Sequence, residues 1–203
     1  MTQRIGLLGG TFDPPHIGHL WLGETAHDQL GLDEVWFLPV GQPPHKENRA
    51  VTAVSHRIAM TQLSIRPFPY FSLQRFDIDR PPPHTTISLL HCLQDSYPDT
   101  QFSLIIGADS LRDFATWDDA HQLIQRCRPA VLDRPRVTID WQVLETAVPG
   151  IRAAVDWLDG PTVDISSTAI RQWARAGRSL KMLVKTAVLT YIQQHQLYNL
   201  GTK

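Results

Sequence analysis

The sequence predicts an α/β fold built on an open parallel sheet with helices on both faces. Three observations carry that expectation. Short apolar runs alternate along the chain with longer stretches of helical periodicity, the pattern of a parallel sheet whose crossovers are helices. One run, FSLII at 102–106, is apolar but for Ser103, as suits a strand covered on both faces. Glycines follow directly on two of the runs, at Gly9 and Gly10 and at Gly107, and ligands in such folds sit beyond the carboxyl ends of the strands.

In chain order, residues 4–8 carry Ile5, Leu7 and Leu8 and read as the first strand. Gly9 and Gly10 then let the backbone turn tightly and approach a ligand. Pro14 and Pro15 hold the chain extended before a helix at 17–30, where Leu22, Ala26 and Leu30 repeat at i, i+4 spacing. Residues 35–38 read as a second strand and 39–48, PVGQPPHKEN, as a proline-rich loop. A helix over 52–65 presents Val54, Ile58, Ala59 and Leu63 as its apolar side and is closed by Pro67 and Pro69. Further strands are expected at 70–73, 102–106, 130–132 and 153–158, and further helices at 85–95, 117–125, 167–176 and 184–195. Gly177 stops the third of those helices, and the fourth has Val188, Tyr191, Ile192 and His195 on one side. Residues 134–150 read only as a connection, and no internal repeat is present.

A chain of 203 residues with 42% hydrophobic content suits one well-buried domain. Its net charge of -1 gives no global reason to bind nucleic acid or an anionic membrane, while small anions can still be held locally. Cys92 and Cys127, without CxxC spacing, argue against a disulfide framework or a zinc cluster, so the cytoplasm is the expected setting and no metal ligands are assigned. The first residues form neither a signal peptide nor a membrane span.

The chemistry concentrates in GGTFDPPHIGHL at 9–20. A helix starting near His16 would point its free amides and positive dipole end into the glycine turn, which favours a phosphate there. His16 and His19, three residues apart, reach the same side of that helix, and imidazole can donate when neutral and carry charge when protonated. Read without context, the same residues are a capped helix with two surface histidines.

The whole string resembles the signature of the nucleotidyltransferase superfamily whose HxGH motif handles the triphosphate of ATP. The resemblance implies a Rossmann-like fold of the nucleotidyltransferase type, with Gly9, Gly10, Thr11, Phe12 and Gly18 around ATP. Class I aminoacyl-tRNA synthetases share the motif, but KMLVK at 181–185 has an apolar middle where their KMSKS loop is polar, and it reads as a solvated helix start. DISSTAIR at 164–171 places Ser166, Ser167 and Thr168 at a helix start, where serine is also a common cap. It resembles the second superfamily motif, ISSTxxR, which implies that Ile165, Ser166 and Ser167 contact ATP and that Arg171 adds donors to the phosphates.

Five weaker features fill in the adenosine side, through Gly107 and Asp109, and choose the acceptor. QPPHK at 42–46 resembles the stretch of bacterial nicotinate-nucleotide adenylyltransferases that approaches the mononucleotide phosphate, which implies that role for His45 and Lys46. GADS at 107–110 follows a strand, so Gly107 permits close approach while Asp109 either accepts from ribose hydroxyls or caps the next helix. Trp117 is core or a stacking surface, and the family's TW segment implies packing on the nicotinate ring. Thr85 opens a helix where its amide and hydroxyl could bind the nicotinate carboxylate, although His84 stands where the family often has tyrosine. Arg134 is matched by the family near the bound mononucleotide, and Arg57 is left outside the site.

Across 5–198, then, the chain resembles enzymes that join ATP and nicotinate mononucleotide to give deamido-NAD and pyrophosphate, with magnesium entering on ATP. Nicotinamide mononucleotide and pantetheine-phosphate adenylyltransferases, and an inactive nucleotide-binding sensor, are the other readings.

Overall fold

The structure, a computed structural model, describes residues 2–41 and 51–198. The six strands form one all-parallel sheet in the order β3-β2-β1-β4-β5-β6. They are β1 (Gln3–Gly10), β2 (Glu34–Pro39), β3 (Phe71–Leu73), β4 (Thr100–Gly107), β5 (Arg128–Leu132) and β6 (Asp156–Leu158). The helices are α1 (Ile17–Leu30), α2 (Val54–Ile65), α3 (Phe76–Asp79), α4 (Thr86–Ser96), α5 (Ala108–Arg112), α6 (Ala120–Arg126), α7 (Trp141–Ala147), α8 (Ile151–Ala154), α9 (Ser167–Arg175) and α10 (Thr186–Gln194).

Side-chain alternation along the strands makes two cores. Ile5, Leu7, Trp36, Leu38, Phe102, Leu104 and Ile106 pack on one face with residues of α4, α5 and α6. Leu8, Val35, Phe37, Ile105, Ala130 and Leu132 pack on the other with Leu20 and Ala26 of α1. A third cluster joins Met60 of α2 to Ile170, Ala174, Val188 and Ile192 of α9 and α10. The strand order reverses between β1 and β4, so the chain diverges there and leaves a crevice at the strands' carboxyl ends.

Several expectations need correction. Residues 134–150 hold α7, capped by Asp140, whose carboxylate accepts from the amides of Gln142 and Val143 at 3.1 Å each. The run 153–158 is not one strand: Ala153 and Ala154 end α8, and pairing with β5 begins only at Asp156. Trp117 lies outside any helix, between a 3-10 turn (Phe114–Thr116) and α6. The core-facing side of α2 is Arg57, Met60, Thr61, Ser64 and Ile65, while Ile58, Ala59 and Leu63 are only half-buried. KMLVK is a turn rather than a helix start. Val184 is buried in the third core, and the Leu183 carbonyl accepts the Ile17 amide at 3.0 Å, so this turn supports the beginning of α1.

Candidate active site

A cavity of about 820 Å³ opens at the crevice, a size typical of small-molecule sites. Gly9, Gly10, Thr11, Phe12, His16, Gly18, His19, Gly107, Asp109, Ser166, Ser167, Thr85, Trp117 and Arg134 all line it. Ile165 and Arg171 are not among its lining residues but touch groups at its edge. His45 and Lys46 lie outside the described residues.

The β1–α1 turn is built to present two imidazoles. Phe12 adopts a left-handed backbone, φ 49°, which non-glycine residues seldom do, and its ring is buried against His19, edge to face at 4.9 Å. His16 is the N-cap of α1 and stacks on His19 with ring centroids 3.7 Å apart. The glycine between them leaves room for the pair, since a Cβ on Gly18 would stand 3.0 Å from His16 Nδ1 and press on that ring. The His16 amide donates to His19 Nδ1 at 3.2 Å. In neutral His19 the ring proton therefore sits on Nε2, leaving that nitrogen as a donor.

Electrostatics keeps both rings neutral at rest. Burial, reinforced by the Arg134 guanidinium, lowers the His16 pKa to about 3. Burial also holds His19 well below the usual histidine value, helped by its neighbours His16 and Arg134. Nδ1 of His16 is buried without a hydrogen-bond partner.

Across the cavity, α9 begins at Ser166, whose Oγ accepts the Ala169 amide at 3.2 Å. Ser167 Oγ donates to the Pro14 carbonyl at 2.9 Å, and Arg171 donates through Nη1 to the Asp13 carbonyl at 2.7 Å and through Nη2 to Thr168 Oγ1 at 3.2 Å. These bonds lock the two helix starts together. They leave the hydroxyl protons of Ser166 and Thr168 able to point outward, whereas that of Ser167 is already used.

A Cβ on Gly107 would stand 2.6 Å from Asp109 Oδ1, so a side chain there would displace the Asp109 carboxylate. Arg134, expected beside the acceptor, donates to Asp109 Oδ2 at 2.9 Å and to the Ile165 carbonyl at 3.1 Å, both in the group expected around ATP. On the α4 side, Thr85 is a cap whose own groups are engaged. Its amide donates to Ser88 Oγ at 3.2 Å, and its hydroxyl bonds Ser88 Oγ at 2.9 Å and accepts the Ser88 amide at 3.3 Å. The Thr86 and Ile87 amides, also in the first turn of α4, have no carbonyl four residues before them in the helix to bond. Trp117 stacks on buried Phe114 at 4.9 Å while also lining the cavity, so packing and ligand contact coexist in one ring. His84 lines the same end, with a buried Nδ1 that has no partner.

Sequence reasoning missed the supports. Arg57 is 1% exposed and donates to the carbonyls of Thr11, Gly41 and Thr52 at 2.8, 3.0 and 3.0 Å. Asp13, also buried, accepts from the Tyr198 hydroxyl at 2.7 Å and from the Thr52 amide at 3.3 Å. A signal for Arg57 existed: it shares the i, i+3, i+4, i+7 row with Met60, Thr61 and Ser64.

A cytidylyltransferase-like family model matches residues 7–173. A Salinibacter ruber protein named "probable nicotinate-nucleotide adenylyltransferase" is 41% identical over 196 residues, covering 97% of this chain and 98% of that one. A protein of the same name from Synechococcus sp. strain JA-3-3Ab is 43% identical over 198 residues, covering 97% and 95%. The solved structure of Plasmodium falciparum nicotinic acid mononucleotide adenylyltransferase complexed with NaAD shares the fold, with a TM-score of 0.81 at 19% identity over 99% of this chain and 100% of that one. Identity sustained along nearly the full length, on a sheet with its crevice at the β1/β4 reversal, assigns the chain: it belongs to the nicotinate-nucleotide adenylyltransferase family of cytidylyltransferase-like proteins.

Proposed function

We propose that the protein transfers AMP from ATP to nicotinate mononucleotide, giving deamido-NAD and pyrophosphate. The observation that carries this reading is the facing of two helix starts across one cavity, one bearing the stacked His16–His19 pair and the other Ser166 and Thr168. Such a pair of dipole ends with neutral donors suits a polyphosphate.

The mononucleotide phosphate attacks the α-phosphorus of ATP directly, in line with the leaving pyrophosphate. Phosphoryl-group transfer of this kind needs positioning and charge stabilisation rather than a protein nucleophile. His19 donates from Nε2 to an oxygen of the reacting phosphate, and the incoming negative charge favours a proton on His16, whose Nδ1 has no partner at rest. The start of α9, with Ser166, Thr168 and the Ser167 amide, receives the pyrophosphate, and Arg171 fixes α9 against Asp13 while adding its charge. Gly107 and Asp109 take the adenosine side. Asp109 keeps acceptor capacity beyond its bond to Arg134. Thr85, Trp117 and the open amides of α4 take the pyridine ring, where the helix start favours the carboxylate of nicotinate.

Among the described residues no group of three or more His, Cys, Asp or Glu is placed to hold a metal. The donor set fits magnesium that travels on ATP, held by phosphate oxygens and water. Cys92 and Cys127, both free thiols, suit a reducing cytoplasm.

The test supplies ATP and magnesium with nicotinate mononucleotide, nicotinamide mononucleotide or phosphopantetheine in parallel and measures pyrophosphate. The expected result is release with nicotinate mononucleotide above the other two. Release only with another acceptor reassigns the substrate, and none with any acceptor favours a nucleotide sensor.

A further inference from the structure

Two buried arginines outside the substrate-contacting groups connect the ATP turn to the acceptor helix. Arg57 on α2 reaches the Thr11 carbonyl in the β1–α1 turn through Nη1 and the Gly41 carbonyl, just past β2, through Nη2. Its third bond, from Nε, goes to Thr52 at the entry of its own helix. The backbone of Gly41 lies against α3, where a Cβ would stand 3.6 Å from the Ile78 Cα and 3.7 Å from the Asp77 carbonyl oxygen. Asp77 in turn pairs with Arg80 at 2.8 Å, both side chains 8% exposed. Arg80 also donates to the Thr85 carbonyl at 3.1 Å, to Ser88 Oγ at 2.9 Å and to the Pro83 carbonyl, which are the groups that build the start of α4.

Burial lowers the Arg57 pKa, with Asp13 opposing, so the charge is kept at a desolvation cost. An apolar side chain of similar volume would fill the space with less penalty, but it could not tie three main-chain segments together. We propose that Arg57 is a positioning residue for adenylyl transfer. Through Gly41, α3 and Arg80 it holds the ATP turn and the start of α4 at the separation that in-line attack requires. The proposal rests on the adenylyl-transfer reading above. Misplacing bound reactants by about 1 Å costs on the order of a hundredfold in rate, so the effect belongs in kcat.

The test measures kcat and both KM values for Arg57→Met, Arg57→Lys, Arg80→Lys and the Arg57→Lys/Arg80→Lys double variant, with thermal unfolding of each. Ile192→Ala, in the third core away from the cavity, is the control for lost stability alone. Expected is a kcat loss of about tenfold to a hundredfold for Arg57→Met, with both KM values within about threefold. Arg57→Lys, which keeps the charge and can reach one carbonyl, should fall between that variant and the wild type. The double variant should lose little more than the worse single one, because both act on one separation. If Arg57→Met does not fold, Arg57→Lys decides by the same criteria. Unchanged kcat in the folded Arg57 variants, fully multiplicative losses in the double variant, or an equal kcat loss in Ile192→Ala would overturn the proposal. Failure of the underlying reading is separate and shows first, as no pyrophosphate from the wild type with nicotinate mononucleotide.

Discussion

The phosphate half of the cavity, at the starts of α1 and α9, and the acceptor half, at the start of α4 and around Trp117, are held in opposite ways. In the phosphate half the main chain orients the donors: the His16 amide fixes the His19 tautomer, and carbonyls of Asp13 and Pro14 anchor Arg171 and Ser167. Its ligand-facing groups are ready before a ligand arrives. In the acceptor half Thr85 is spent on Ser88 and Trp117 leans on Phe114, so the open donors and acceptors left there are few. A ligand there exchanges internal contacts for its own. The difference teaches that rate should be lost mainly by damage to the first half and selectivity mainly by damage to the second.

The hardest test of that division is His19→Ala. It removes an oriented donor aimed at developing charge, and such removals typically cost about a hundredfold to a thousandfold in kcat. Circular dichroism should show an unchanged fold. Activity near wild type would take His19 out of the mechanism and would erase the contrast between the halves.

The same contrast explains what was legible in the sequence. The phosphate half comes from two contiguous strings, so the spacing of His16 to His19 and of Ser166 to Arg171 already contains the geometry. α1 runs over the expected residues, and the strands at β1, β2, β4 and β5 lie where apolar runs place them, each longer by the residues that pairing adds. The acceptor half assembles residues from separate elements, and only tertiary packing brings Thr85, Trp117 and Arg134 to one cavity. Arg57 was missed because a charged residue on a helix is solvated by default, and only main-chain carbonyls from distant segments make its burial tolerable. α7 escaped notice although Asp140, Leu144 and Val148 give it a cap and a buried side, since Pro135 and Thr138 before it break the periodicity.

Trp117→Ala sharpens the comparison from the acceptor side. The KM for nicotinate mononucleotide should rise about tenfold, from the loss of one ring contact worth roughly 1 kcal/mol plus its buried area, while that for ATP stays within about twofold. Equal increases for the two substrates would make the ring a core element only. Arg134→Ala cuts nearer the boundary. Its bonds to Asp109 and Ile165 predict a several-fold rise in the KM for ATP with a smaller change for the mononucleotide, and the reverse pattern would return Arg134 to the acceptor half.

The smallest effect concerns protons, and its sign follows from the histidine environments. His16, lowered to about 3, and His19, held well below its ordinary value near 6.5, titrate lower in the folded chain than in the unfolded one, so below about 6.5 the unfolded state binds more protons. Stability of the ligand-free protein therefore falls as the pH drops below about 6.5, by up to about 1.4 kcal/mol per pH unit for each ring that remains neutral. A bound triphosphate works against this, since negative charge beside the rings raises their pKa values. Binding of ATP should then take up a fraction of a proton near pH 6, seen as a dependence of the calorimetric binding enthalpy on the ionisation enthalpy of the buffer. His16→Ala, which removes the ring with the unpartnered nitrogen, should reduce that uptake, whereas Trp117→Ala should leave it unchanged. Equal uptake in all three proteins would mean that His16 stays neutral with ATP bound, and that the phosphate half acts through oriented dipoles alone.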